Sequence, residues 1–296
     1  MSAASVLCPI DFSDPSRAAL VYADALAEHF GAELVLLAVD DPLLAEAAGA
    51  GLDTPLAVET RHELERFAAS TIGGTVAGAA HVTLRVRTGK PAVEILQEAH
   101  ERAPDLIVMS SRGQTGARKL FFGSTTERVL RETPIPVLVT PSGPPWGTTL
   151  DEVATHIGRV LAPVDLSAAS PRQLTIASGI ATALGVPLVV VHAVEPITIP
   201  QRVRQQVTGA DALRRSQAEQ KLDALVARVS AAKRETLILT GDPAEEIVKL
   251  AEARQANLIV MGLHSPESSG PRMGSVTYRV LSLTQRLVLA LPPTGH

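Results

Sequence analysis

The chain has 296 residues, of which 46% are hydrophobic, 20% charged and 3% aromatic, and its formal net charge is −4. At roughly 150 residues per domain, this length predicts two globular domains. The near-balanced charge excludes a bulk basic protein that grips nucleic acid by phosphate neutralisation, and the scarcity of aromatics excludes stacking platforms for single strands. A single cysteine, Cys8, excludes an internal disulfide and a cysteine-rich zinc site and fits a reducing cytosol. The opening segment MSAASVLCPIDFSD lacks the basic and long apolar regions of a secretory leader, so the expected location is cytoplasmic.

In chain order, Ser5–Ile10 is a short apolar run ending at a turn, which reads as a strand. Ala18, Val21, Tyr22, Ala25 and His29 recur at helical spacing, and Gly31 stops that helix. Residues 33–39 form an aliphatic strand, residues 54–69 a helix with a charged face, and residues 81–87 an alternating strand. Pro91 opens a helix where its missing N–H costs nothing, with Ala92, Ile95, Leu96, Ala99 and Ala103 as the apolar stripe. Residues 106–109 are a buried strand, 124–131 a helix and 135–140 a last strand, which Pro134 and Pro136 place at a sheet edge. Residues 173–194 carry no Asp, Glu, Lys or Arg, but Gly179, Gly185 and Pro187 interrupt them. They read as helix, turn and strand, with no membrane span. The helix within them, residues 174–184, is uncharged where its counterpart upstream carries Asp24 and Glu28, and the loss of charge predicts an apolar surface, a candidate site of association.

The chain repeats itself. VLCPIDF at residue 6 returns as VLAPVDL 154 residues later, GKPAVEI at 89 as GDPAEEI 152 later, DLIVMS at 105 as NLIVMG 152 later, and Gly123-Ser124 as Gly274-Ser275 151 later. A slowly shrinking offset of this length is domain duplication and not a solenoid. The expected domains are residues 1–142 and 158–296, with a linker at 143–157 led by the Pro/Gly-rich run PSGPPWGTT. Trp146, the single tryptophan, is expected to pack this linker onto one domain. Alternating strands and helices make the fold class α/β: two tandem doubly wound domains, each a five-stranded parallel sheet with helices on both faces. Such sheets bind ligands beyond the carboxyl ends of their strands, at the switch in strand order.

The loop after the fourth strand, SSRGQTGARKLFFGS, holds Gly113, Gly116 and Gly123 with Arg112, Arg118 and Lys119. Its glycines let backbone N–H groups approach an anion, and Gly123-Ser124 opens a helix whose dipole favours phosphate. The duplicate, GLHSPESSGPRMGS, keeps Gly274-Ser275 but has Ser265 for Gly113, is one residue shorter, and balances Glu267 against Arg272. Pro271 stiffens it and removes a donor, so this loop predicts a weaker anion site or none. After the first strand of each copy stand Asp11 and Asp165, which either accept bonds from a ligand or cap the next helix.

Both copies resemble domains of the universal stress protein family, and the whole chain resembles a tandem member. PIDFS and PVDLS after the first strand, and VMSSRG, nine residues, then GSTTERVL and TPIPVLV carry the likeness. The family's nucleotide pattern is Gly, two residues, Gly, nine residues, Gly-Ser or Gly-Thr. Gly113 and Gly123-Ser124 fall on it, with Ser110 at the first glycine; in the second copy Gly262 and Gly274-Ser275 match, with Ser265 at the second position and a short gap. The resemblance implies a Rossmann-like ATP site in the first copy. There Pro9, Asp11 and the backbone at Val39 would meet adenosine, Met109 and Ser110 the sugar, and Gly113, Gly123, Ser124 and Thr125 the phosphates, with Mg as a further cofactor. Pro163, Asp165, Ala193, Gly262, Gly274 and Ser275 are the second-copy counterparts. The family also implies pairing through last strands, within one molecule or in a homodimer.

No G-x-x-x-x-G-K-[ST], G-x-G-x-x-G after the first strand, H-E-x-x-H or G-x-S-x-G occurs, and His156-Ile157-Gly158-Arg159 lies before a strand, where a nucleotidyltransferase motif would follow one. His192 lies in an aliphatic strand and reads as a satisfied core or loop-end residue, and Cys8 as a small buried hydrophobe. The expected function is therefore an ATP-binding stress-response protein acting by nucleotide-dependent regulation or partner binding, with slow or no hydrolysis. The alternatives are a nucleotide-independent dimerising interaction module and a weak ATPase or adenylyl-transferring enzyme. The expected partner is an adenine nucleotide, with no nucleic acid and no membrane.

Overall fold

The computed structural model describes residues 4–49, 55–73, 81–113, 123–196, 209–229, 233–263 and 273–293. The chain divides into two compact units, Met1–His156 and Ile157–His296. The first contains β1 (Ser5–Ile10), α1 (Asp14–Phe30), β2 (Glu33–Asp40), α2 (Pro42–Gly49), α3 (Leu56–Ile72), β3 (Val82–Thr88), α4 (Pro91–Arg102), β4 (Leu106–Ser110), α5 (Ser124–Glu132), β5 (Val137–Thr140) and α6 (Leu150–His156). The second contains β6 (Val160–Pro163), α7 (Ser170–Ala183), β7 (Leu188–Val194), α8 (Ala210–Val226), β8 (Arg234–Thr240), α9 (Pro243–Ala253), β9 (Leu258–Gly262), α10 (Ser275–Leu283) and β10 (Leu287–Leu291).

Within the first unit the strands run parallel in the order β3-β2-β1-β4-β5, and within the second in the matching order β8-β7-β6-β9-β10. Registers repeat as well: Val6 pairs Leu106 as Val160 pairs Leu258, and Leu34 pairs Val82 as Leu188 pairs Arg234. The chain winds outward from β1 to β3, then crosses back to β4, which puts the switch point between β1 and β4, and between β6 and β9 in the second unit. Helices α1 and α3 pack together on one face of the first sheet, and α4 and α5 pack together on the other. Aliphatic side chains fill the layers between: Leu7, Leu20, Leu34, Leu36, Leu37, Ile107 and Leu130 in the first unit, and Leu161, Leu174, Leu188 and Leu222 in the second, are fully buried. Cys8 is among these core residues, and burial pushes its thiol far above the ordinary range.

Local chemistry sets the element ends. Ser13 caps α1 by accepting the Ser16 N–H, Pro15 sits in its first turn, and Gly31 ends it in the left-handed region at φ 59°. The helix at Pro91 stops at Arg102, one residue before the apolar stripe runs out, because Ala103 turns left-handed at φ 47° and its N–H closes on the Ala99 carbonyl. Residues 173–194 form the end of α7, a turn and β7, and among the described residues no helix is long and apolar enough to cross a membrane. Along residues 174–184 Leu174 is buried, Thr175, Gly179, Thr182 and Ala183 are exposed, and Ile176, Ile180 and Leu184 are half-buried, so the face carries no charge. Trp146 packs within the first unit, donating its backbone N–H to Tyr22 Oη at 3.1 Å, meeting the Tyr22 ring edge-on at 6.2 Å and stacking on His156 at 6.4 Å.

Candidate functional site

In the first unit the predicted residues gather at the carboxyl ends of β1, β2 and β4. Pro9 is half-buried near the end of β1, and Val39 lies one residue past the Ile10–Ala38 pair. Asp11 is exposed; its Oδ1 accepts the Ser13 N–H at 3.2 Å and the Ser13 hydroxyl at 2.5 Å. The capping role thus belongs to Ser13, while Asp11 stands outside the helix. Between them Phe12 adopts a left-handed φ of 63°, unusual for a bulky residue, and its ring packs edge-on against Phe67 at 5.6 Å. Gly113 lies against this carboxylate so closely that a Cβ there would collide with Asp11 Oδ2.

Met109 and Ser110 close β4 and are 5% and 9% exposed. Three bonds pin the start of α5 beside them: the Ser111 N–H donates to Thr140 O at 3.0 Å, the Gly123 N–H to Ser111 O at 3.0 Å, and the Thr126 hydroxyl to Ser110 O at 2.9 Å. Gly123 takes the N-cap position with no side-chain cap, followed by exposed Ser124 and half-buried Thr125. The first-turn N–H groups and the positive end of the helix dipole are therefore presented where the loop returns. Gly116, Arg118 and Lys119 lie outside the described residues.

The second unit reproduces this construction. The Leu263 N–H donates to Leu291 O at 2.8 Å, the Gly274 N–H to Leu263 O at 2.8 Å, and the Thr277 hydroxyl to Gly262 O at 2.8 Å. Leu166, like Phe12, is left-handed at φ 60°, and Asp165 Oδ1 accepts the Ser167 N–H and the Ser170 hydroxyl, each at 2.9 Å. Pro163, Asp165, Ala193, Gly262, Gly274 and Ser275 line one cavity of about 220 Å³ at the strand ends. That is below the about 300–1,000 Å³ of a pocket for a drug-sized ligand, and Ser265, Glu267, Pro271 and Arg272 lie outside the described residues.

Two lining residues were not expected there. Gln173 is buried and its Nε2 donates to Pro163 O at 2.6 Å and Val260 O at 3.0 Å, tying β6 to β9 beneath the cavity. His192 is half-buried, with Nδ1 2.8 Å from Val164 O. A carbonyl can only accept, so Nδ1 is the donor in this contact. The signal available was the duplicate: the strand position of His192 is Ala38 in the first copy. Strand ends of this kind, with an uncapped helix start, glycine and a carboxylate, suit a ligand with an anionic part and a hydroxyl- or amine-bearing part.

The universal stress protein family model matches residues 4–141 and again 156–292, and the chain belongs to that family. Curated relatives match about half of it. Universal stress protein MJ0531 of Methanocaldococcus jannaschii is 31% identical over 139 residues, 45% of this chain and 79% of its own length. Universal stress protein YxiE of Bacillus subtilis is 31% identical over 142 residues, 45% of this chain and 96% of its own. A crystal structure of a universal stress protein from Archaeoglobus fulgidus aligns over 100% of both chains with a TM-score of 0.65 at 20% identity, a likeness of fold.

Proposed function

We propose that this universal stress protein binds adenine nucleotide at its strand ends and acts through nucleotide-dependent regulation or partner binding in the stress response, with slow or no hydrolysis. The observation that carries the reading is the pinned, uncapped start of α5 beside β4, built from three bonds that recur at α10 and β9. In the first unit Pro9, Asp11 and the Val39 backbone meet adenosine, Met109 and Ser110 meet the sugar, and Gly113, Gly123, Ser124 and Thr125 hold the phosphates of ATP with its Mg ion. The cavity beside Asp165, Gly262 and Gly274 takes the same class of ligand with a weaker phosphate grip, because its loop sums to no net charge where the first carries three positive residues. The last strands, β5 and β10, are proposed to pair within one chain or between two copies, which protects strand edges.

The test is calorimetric titration of the purified full-length chain with ATP and Mg, after checking the preparation for co-purified nucleotide. At Gly123 an added Cβ meets Ser111 O at 3.4 Å, Arg112 Cα at 3.6 Å and Thr126 Oγ1 at 3.7 Å, all ordinary contacts, so Gly123→Ala preserves the fold. Gly123→Val places branched atoms over the helix start and abolishes phosphate binding in the first unit; unchanged affinity and stoichiometry would refute the assignment. Absence of bound nucleotide and of any thermal shift with ATP would instead favour the interaction module. Rapid ADP release would favour the enzyme.

A further inference from the structure

Asp24 and Glu28 lie four residues apart on α1 and so share one helix face. His81 immediately precedes β3, with its backbone fixed by a 2.7 Å bond from the Leu34 N–H to its carbonyl. Its Nε2 stands 4.0 Å from Asp24 Oδ1, and one donor atom from each of the three residues lies within 4.8 Å of the others. Asp24 is only 8% exposed, and its Oδ1 is buried with no hydrogen-bond partner. A buried carboxylate oxygen without a donor is costly and calls for a physical reason. Burial first, and then the neighbouring charge of Glu28, push the Asp24 carboxyl up to about 6 against the opposing pull of His81. Glu28 and His81 are both exposed, which leaves a path from solvent to the cluster.

We infer that Asp24, Glu28 and His81 form a binding site for a divalent transition ion of the zinc type, with water completing its coordination. One imidazole nitrogen and two carboxylate oxygens are a donor set for borderline ions; magnesium and calcium prefer oxygen alone. With bonds of about 2.0–2.2 Å in tetrahedral geometry, two ligand atoms on one such ion stand about 3.4 Å apart. From separations of up to 4.8 Å the cluster therefore closes by at most about 1.4 Å, which rotation of the exposed Glu28 and His81 side chains can supply. The ion supplies the partner that Asp24 Oδ1 lacks and clips α1 to the start of β3. The second unit is a built-in control: the matching positions on α7 and before β8 hold Ser178, Thr182 and Lys233, two hydroxyls and an ammonium. The proposal therefore requires one ion per chain.

The experiment uses the full-length chain stripped with chelator, without nucleotide, so its outcome is independent of the ATP reading. Cobalt(II) is titrated and read by its visible ligand-field absorption, and zinc by competition with a chromophoric chelator. One ion binds per chain, and Glu28→Gln and His81→Ala, both surface changes, each weaken it by more than about tenfold, the least that losing even an outer partner of a metal site costs. Grafting Ser178→Asp, Thr182→Glu and Lys233→His onto the second unit adds a second ion. Absence of saturable binding, or binding unchanged in both single variants, overturns the proposal.

Discussion

Glu98 is fully buried on α4 and receives Arg87 Nε at 2.5 Å, Arg102 Nε at 2.6 Å and Arg85 Nε at 3.2 Å. In the second unit the matching residues are Leu250 for Glu98, Leu237 for Arg85 and Leu239 for Arg87. One duplicate thus holds an ionic hub where the other holds leucines, and the two solutions can be exchanged. Removing one partner of a buried pair costs about 3–5 kcal/mol, because a charge is left stranded, whereas replacing the whole set with apolar residues is often neutral or better. Glu98→Leu belongs at the lower end, about 3 kcal/mol, because the arginines keep other partners. Arg87 retains Glu94 at 3.6 Å and Glu101, Arg102 retains Glu33 at 3.4 Å, and Arg85, with 44% of its side chain exposed, can turn to water. The triple variant Arg85→Leu, Arg87→Leu, Glu98→Leu is expected within about 1 kcal/mol of the parent. Urea unfolding followed by tryptophan fluorescence measures this, since the single tryptophan, Trp146, lies in the first unit. A Glu98→Leu loss well below 1 kcal/mol, or a triple variant as unstable as the single, would refute the reasoning. Burial alone would raise the Glu98 pKa, but the bonds from Arg87 and Arg102 hold it below the usual range. A depressed folded pKa gives stability that is present above the unfolded value and lost as pH falls through the folded one, so the gap between the parent and Glu98→Gln closes below about pH 4.

Three further outcomes are expected. Asp24, raised to about 6, destabilises the fold as pH climbs from the ordinary aspartate value through 6 and is neutral below that window. In chelator Asp24→Asn therefore melts higher near pH 7.5, by up to about 3 kcal/mol of stability, and converges with the parent near pH 4; parallel melting across that range sinks the assignment. Gly113→Ala pushes the exposed Asp11 carboxylate aside, so it lowers nucleotide affinity while leaving stability within about 1 kcal/mol, and unchanged affinity counts against the Asp11–Gly113 pair as part of the site. Cys8, 0% exposed with a raised pKa, reacts with a thiol reagent only as fast as the first unit opens, and labelling at the rate of a small free thiol contradicts its place in the core.

The strands were legible because parallel strands buried on both faces are continuous aliphatic runs, and the repeat made each of them visible twice. The elements missed were those without such a signal. Helix α2, PLLAEAAG, is short and leaves Leu43 and Leu44 exposed, so it has no apolar stripe to read. Helix α6 lies inside the segment read as a linker, yet its capping box was present: the Glu152 N–H donates to Thr149 Oγ1 at 3.3 Å, and the Thr149 N–H returns a 3.4 Å bond to Glu152 Oε2. The glycines and aspartates of the candidate site were readable from spacing. His192 and Gln173 were not, because what matters about them is which carbonyls of neighbouring strands they reach, and that is tertiary information. The Glu98 hub was hidden for the same reason, since Arg85 and Arg87 come from β3 while the carboxylate and Arg102 belong to α4.

Comparing the two units separates what the duplicated fold holds fixed from what it lets drift. The ionic hub has become leucines, the Asp24 cluster has become hydroxyls and a lysine, and the charge of the long loop has gone. The left-handed backbone at Phe12 and Leu166 has stayed, although a bulky residue there costs about 1–3 kcal/mol and the two side chains differ. The three bonds that pin α5 and α10 have also stayed, although Ser111 has become Leu263 and Thr140 has become Leu291, because two of the three run between backbone groups. Both features sit at the carboxyl ends of the strands: Phe12 and Leu166 follow β1 and β6, and two of the three pinning bonds in each unit end on the last residues of their strands, Ser110 and Thr140 or Gly262 and Leu291. A strained residue that turns a carboxylate out of the helix it could cap, opposite a helix start left uncapped, spends stability at one place in each unit. The same place holds the switch in strand order in both copies, where doubly wound sheets bind their ligands, and this is what the proposed binding role of the strand ends rests on.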